Sequence, residues 1–241
     1  MMEAARDVLS TQARDGLPYP DRNGAATHRP EAIVLQVDAT ISGIDGLTWL
    51  SSRRDAASAA FLVALQREAG EGEWTASTHA RARLAHLRPR RSEVNELGAA
   101  YLAALTPGAV TAVQAFRRAG IAISLASDVG AEALFGVATA LGVSPDELRA
   151  PRLRFDALGA YVGCDLGGSD VERDEESADR PSSGTTTSRR TLFVGTRRSP
   201  VFAPRGTDAF VAFSGVVARE GRAEAETSVS SFHDLTALVL R

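Results

Sequence analysis

The stretch Ala32-Ile33-Val34-Leu35-Gln36-Val37-Asp38-Ala39-Thr40 decides how this chain is read. It opens on an apolar, partly β-branched run, with Pro30 upstream and Gly43 downstream, which predicts a buried strand over residues 32–38. Polar residues then arrive at the carboxyl end of that strand: Gln36, Asp38 and Thr40. The first of them is an amide. It is neutral at any relevant pH, is a weak partner for a hard divalent cation, and lacks the nucleophilic capacity of a carboxylate.

Composition sets the outer bounds. The chain has 241 residues, 44% of them hydrophobic, which suits one sizeable domain or a core with a smaller insert. The formal net charge of −3 recommends neither nucleic acid nor an anionic membrane as a partner. No apolar run approaches the ~18 residues that a membrane span needs. Cys164 is the single cysteine, so no internal disulfide framework exists. All 27 basic residues are arginine, and a mechanism that requires lysine cannot operate here.

Residues 1–31 mix Arg6, Arg14, Arg22 and Arg29 with Glu3, Asp7, Asp15 and Asp21. They lack the apolar centre of a secretory signal and the acid-poor composition of a transit peptide. They are expected to form a poorly structured or partner-bound arm. Residues 44–104 turn helical. Asp55–Glu68, Thr75–Leu87 and Arg91–Leu105 place apolar residues three and four apart, which predicts a small helical cap. Thr106 then reads as the N-cap of a further helix, with Pro107 at its first position and Gly120 just past its end.

Ile121–Ala126 predicts a second buried strand ending at Ser127, followed by a helix over Gly130–Leu141 with Gly142 as its cap. Pro151–Tyr161 reads as a hairpin around Leu158-Gly159. Residues 166–190 are acidic and Ser/Thr/Gly-rich, and read as a low-complexity loop. Strands at Thr191–Val194 and Ala209–Phe213 and a helix over Ser231–Leu240 complete the pattern. Strands alternating with helices predict an α/β fold with a parallel sheet and a site at the carboxyl ends of its strands. That core takes residues 32–43 and 105–241.

In order and spacing these segments resemble the phosphoserine phosphatase branch of the haloacid dehalogenase-like superfamily, a Rossmann-like parallel sheet with a helical cap. The resemblance rests on Val37-Asp38-Ala39-Thr40 with Gly43-Ile44-Asp45-Gly46-Leu47, Leu105-Thr106-Pro107-Gly108, Ile123–Ser127, Arg152–Phe155 with Gly159–Gly163, Leu192–Gly195 and Thr207–Phe213. It implies a nucleophilic aspartate where Gln36 stands and an acid-base aspartate at Asp38. It implies a phosphate-binding hydroxyl at Ser127 and a lysine within 166–190, where Arg189 or Arg190 could supply charge in its place. It implies magnesium-binding acids where Thr196 and Pro200 stand, with Arg197 and Arg198 between them. The cap arginine that grips substrate matches Arg83. The histidines, His28, His79, His86 and His233, lack ligand spacing and read as surface or packing residues.

The first expectation is therefore a degenerate enzyme that keeps Asp38 and Ser127 as remnants, binds no metal, and serves as a structural or regulatory subunit with other proteins as partners. The alternatives are a magnesium-dependent phosphomonoester hydrolase, and a regulator that holds a small phosphorylated ligand through Ser127, Arg83, Arg197 and Arg198. The expected location is the cytoplasm, with a mitochondrial complex as the alternative.

Overall fold

A computed structural model describes residues 29–70, 76–166, 190–196, 207–216 and 227–241. The first 28 residues, nearly all of the 166–190 loop, and Arg197, Arg198 and Pro200 lie outside the described residues.

In chain order the elements are β1 (Ala32–Gln36), α1 (Gly46–Ser51), α2 (Ala56–Gly70), α3 (Ala76–Leu87) and α4 (Arg91–Ala103). Then come α5 (Ala109–Arg118), β2 (Ala122–Ala126), α6 (Ala131–Leu141), β3 (Leu148–Arg149), β4 (Arg152–Phe155) and β5 (Tyr161–Asp165). The last are β6 (Thr191–Gly195), β7 (Thr207–Phe213), β8 (Thr227–Val229) and α7 (Phe232–Val239). Six strands form one sheet in the order β3-β2-β1-β6-β7-β8, and β4 and β5 form a separate hairpin. Every pairing in the large sheet is parallel. This is the expected α/β, Rossmann-like architecture with helices flanking the sheet.

The apolar run of β1 explains its place. A strand with a neighbour on each side and helices over its faces is buried throughout, and Ile33, Val34 and Leu35 are buried between β2 and β6. The register sets Leu35 opposite Leu125 and Val194. The three central strands therefore end level. Their carboxyl ends bring three residues to one region: Asp38 after β1, Ser127 after β2 and Thr196 after β6.

The helices keep their predicted spans to within a residue or two. Ala109, Ala112, Val113 and Phe116 make the buried stripe of α5 at helical spacing. Gly120 (φ 79°) and Gly142 (φ 68°) follow α5 and α6 in the left-handed region, where glycine carries no steric penalty. The Thr106 expectation needs correcting. The residue before α5 is Gly108, and the Thr106 hydroxyl instead donates to the Thr40 carbonyl at 2.6 Å. That bond ties the entry to α5 onto the loop after β1.

The helical segment α1–α4 leaves and rejoins the sheet at one place. Ser42 and Leu105 pair there, the Gly43 amide donates to Ala104, and the Thr106 amide donates to Ile41. α4 then packs along α6. The approach is close because Gly98 faces the backbone of Ala133, where an added Cβ would lie 3.1 Å from the carbonyl oxygen. Arg54, after α1, grips Glu93 of α4 with both nitrogens at 2.6 and 2.8 Å and donates to the Leu87 carbonyl. Within the insert, His79 is buried with Nε2 3.1 Å from the Leu65 carbonyl oxygen, and His86 stacks on Phe61. Among the described residues no helix is long and apolar enough to cross a membrane.

Candidate functional site

The loop after β1 builds the site. Val37–Ile41 makes one wide turn, closed by the Ser42 amide donating to the Val37 carbonyl at 3.0 Å. Within it Asp38 stays extended (φ −60°, ψ 120°) and Ala39 is left-handed (φ 52°). A left-handed alanine costs about 1–2 kcal/mol. The Ala39 amide is held by the Ile44 carbonyl at 2.9 Å, which offsets part of this and folds the chain back over Asp38. Asp45 then caps α1 by accepting from the Thr48 amide. As a result the Gly46 amide, at the helix start, faces Asp38 directly.

Asp38 is surrounded by donors. Oδ1 accepts from the Gly46 amide at 2.8 Å and from the Tyr101 hydroxyl, and Oδ2 accepts from the Ser127 hydroxyl at 2.6 Å. The Ser127 Oγ also accepts from the Val129 amide at 3.2 Å. Both predicted remnants, Asp38 and Ser127, are therefore brought together, but each bonds to the other and to its own fold. Burial pushes the Asp38 carboxyl up to about 6, and the nearby Asp45 charge adds to this, while the three donors pull it down. Burial and the adjacent Asp38 charge hold the Tyr101 hydroxyl well above its ordinary range, so it remains a donor.

A carboxyl that titrates near 6 suits general acid-base chemistry. Here the cause is burial inside a closed set of hydrogen bonds. The consequence for stability comes from proton linkage. The native state binds the Asp38 proton more tightly than the unfolded chain does, whose value is 3.8. This group's contribution therefore falls as pH rises from about 4 to about 6, by about 3 kcal/mol in total. Asp38→Asn removes that titration. Urea unfolding should show the variant gaining roughly that amount relative to the parent between pH 4 and 7.5. A difference that stays flat with pH would contradict the placement of a buried carboxyl here.

Gln36 is occupied in another way. Its Oε1 accepts from the Thr196 amide at 3.0 Å. The side chain lies flat against Gly195, where an added Cβ would collide with both Oε1 and Cβ of Gln36. The Gln36 amide thus serves as a cap for the end of β6.

The arrangement can be tested for magnesium, which the resemblance implies. A magnesium ion needs near-octahedral oxygen ligands, with carboxylates among them. Gln36 Oε1 is already bound to Thr196, and the two Asp38 oxygens are already bound to three donors. Thr196 stands where an acid is implied. Among the described residues no group of three or more His, Cys, Asp or Glu is arranged to hold a metal ion. The described residues do not fit the ion.

Arg83 reaches the same region from α3. It is 3% exposed, and its Nη1 lies 3.1 Å from Oδ2 of Asp128, the residue after Ser127. Its Nε has no hydrogen-bond partner among the described residues, and neither has Oγ1 of the buried Thr40. The predicted substrate arginine is therefore buried and paired with a carboxylate of the chain itself.

Tyr101 and Asp128 are the members of this site that the sequence reading does not single out. The helical spacing of Val94, Leu97 and Tyr101 marks Tyr101 as core, and nothing local shows where its hydroxyl goes. Asp128 carried a usable signal: an acid directly after a strand-end serine, in an otherwise apolar run.

No protein-family model and no curated protein sequence matches the chain. Solved structures do. A phosphoserine phosphohydrolase-like protein from Francisella tularensis subsp. tularensis superposes with a TM-score of 0.67 at 15% identity, over 87% of this chain and 99% of that one. A phosphoserine phosphatase from T. onnurineus gives 0.59 at 15% identity, over 89% and 98%. A substrate-bound phosphoserine phosphatase gives 0.57 at 16% identity, over 89% and 99%. With the parallel sheet, the helical insert and the level strand ends, these likenesses show that the chain has the fold of these phosphoserine phosphatase structures.

Proposed function

We propose that this chain is a catalytically inactive member of that fold, acting as a structural or regulatory subunit of a protein assembly. One observation carries the reading. The polar groups at the strand ends satisfy one another: Asp38 accepts from Gly46, Tyr101 and Ser127, and Gln36 accepts from Thr196. Phosphoryl transfer instead needs groups aimed outward, with metal and cationic side chains stabilising charge on the transferring oxygens. The chain has no lysine to supply such a charge. Arginine is no geometric substitute, because its fork is planar where the ammonium is a compact point charge.

The reading has a direct test. Gln36→Asp restores a carboxylate at the nucleophile position and leaves the other losses in place. The variant is expected to show no magnesium-stimulated turnover of phosphoserine or an aryl phosphate. Turnover appearing in it would mean that the remaining groups are competent, and would sink the proposal.

A second reading is favoured by the open Nε of buried Arg83 and the unpartnered Thr40 hydroxyl. In it the chain is a regulator that holds a small phosphorylated or carboxylate ligand between Ser127 and Arg83. Titration with phosphoserine and with inorganic phosphate decides: saturable binding supports it, and none at millimolar ligand ends it. If the chain is instead a working phosphomonoester hydrolase, turnover by the parent chain shows it.

A further inference from the structure

We propose that the cleft between α4, α6 and β4 is a docking surface for an acidic segment of a partner protein, one bulky apolar side chain of which fills the cleft. This rests on the subunit reading above and names the face involved.

The cleft encloses about 360 Å³, the size range of small-ligand sites and enough for an aromatic side chain. Buried Val94 and Leu153 line it, and Phe135 and Phe155 border it. Phe135 remains 48% exposed. Leu102, two helical turns beyond Asn95 of the cleft, is 43% exposed, and Leu158 at the hairpin tip is 91% exposed. The tip is fixed to the start of α4, because the Arg91 amide donates to the Gly159 carbonyl at 2.9 Å. Large apolar side chains thus run from Leu158 past the cleft to Leu102.

Charge selects the occupant. The acids near this face each hold a donor of the chain, and Glu132 in the cleft lining keeps its charge. Glu93 holds Arg54, both Glu132 oxygens accept from the Leu153 amide, Asp156 accepts from the Leu158 and Ala160 amides, and Asp165 lies beside Arg154. The basic residues entering α4, Arg88, Arg90 and Arg91, are exposed and have no carboxylate partner among the described residues. Arg91 lines the cleft, with its guanidinium 5.1 Å from the Phe155 ring centre. A largely apolar cleft with Arg91 in its lining, and with Arg88 and Arg90 just before it in the chain, fits an aromatic or aliphatic anchor flanked by Asp and Glu, with the charges steering association and the anchor supplying most of the affinity.

The test uses the full chain, isolated from cells of its own organism with a photoreactive phenylalanine analogue at position 135. After irradiation, the crosslinked peptide is sequenced by mass spectrometry, and the intact complex is weighed in parallel. The expected crosslink falls in an Asp/Glu-rich stretch of a different protein. Arg90→Glu with Arg91→Glu should abolish both crosslink and complex. Val63→Asp, at an exposed site on α2, should leave both, and matched thermal unfolding of the variants would show intact folds. A crosslink to a basic or neutral stretch or to a second copy of this chain overturns the surface. So does a complex that survives the double arginine reversal combined with Phe135→Asp. If the parent chain forms no complex at all, the subunit reading falls with it.

Discussion

Asp128→Ala is expected to destabilise the fold by about 3–5 kcal/mol, because it leaves the Arg83 guanidinium buried without its counter-charge. Arg83 is 3% exposed and Asp128 is buried beside it, so water cannot substitute for the missing partner. Arg83→Met is also expected to destabilise the fold, because it removes the guanidinium that lies 3.1 Å from the buried Asp128 carboxylate. The double variant Arg83→Met/Asp128→Leu should cost clearly less than the sum of the single changes, since both charges of the pair are then removed together. Urea unfolding of the four proteins measures this directly. A small carboxylate such as formate should raise the stability of Asp128→Ala and leave the parent unaffected, because only the variant has an unpaired cation to fill. Additive single changes would mean that the pair is not coupled. The pair also joins α3 of the insert to the loop after β2, so its loss should loosen the insert before the sheet.

The second large effect belongs to Gly46. A Cβ at this position would collide with the Tyr101 hydroxyl and lie 2.7 Å from Val129 Cγ2 and 2.9 Å from Asp38 Oδ1. Gly46→Ala therefore overpacks a buried site, at about 1–3 kcal/mol. It also displaces the Tyr101 hydroxyl from Asp38, a bond to a charged group contributing about 1.5–3 kcal/mol. A total near ~4 kcal/mol is expected by urea unfolding, together with an Asp38 that titrates higher still. Gly43→Ala is the control. Its nearest neighbour would be 3.6 Å away, ordinary contact, and it should cost little. Equal effects at the two glycines would mean that the Asp38 cluster is not tightly closed.

These expectations rest on contacts between segments far apart in the chain, and that is where the sequence stops being readable. The central strands were legible because β1, β2, β6 and β7 are apolar runs bounded by polar or glycine residues. α5 and α6 were legible from their buried stripes and their closing glycines. The strands β3 and β8 were not, because runs of two and three residues at the sheet edges carry no periodicity. Thr106 reads as a cap by local rule, yet its hydroxyl finds the Thr40 carbonyl 66 residues away. At the site, the positions of Gln36, Asp38, Ser127 and Thr196 are set by the level ends of three strands. What each side chain bonds is not. Tyr101 meets Asp38 across 63 residues, Arg83 meets Asp128 across 45, and Gln36 meets Thr196 across 160. That an amide, Gln36, stands where the resemblance implies a nucleophile was visible as one letter. That this amide caps β6 became visible only in three dimensions.

Whether this inward-facing site does chemistry is the central question. The measurement that tests it most directly is turnover of phosphoserine and an aryl phosphate by the purified parent chain with saturating magnesium, beside Asp38→Asn. The prediction is no turnover above the uncatalysed rate in either protein. Magnesium-dependent turnover in the parent that is lost in Asp38→Asn would contradict it, and would make Asp38 a working catalytic group.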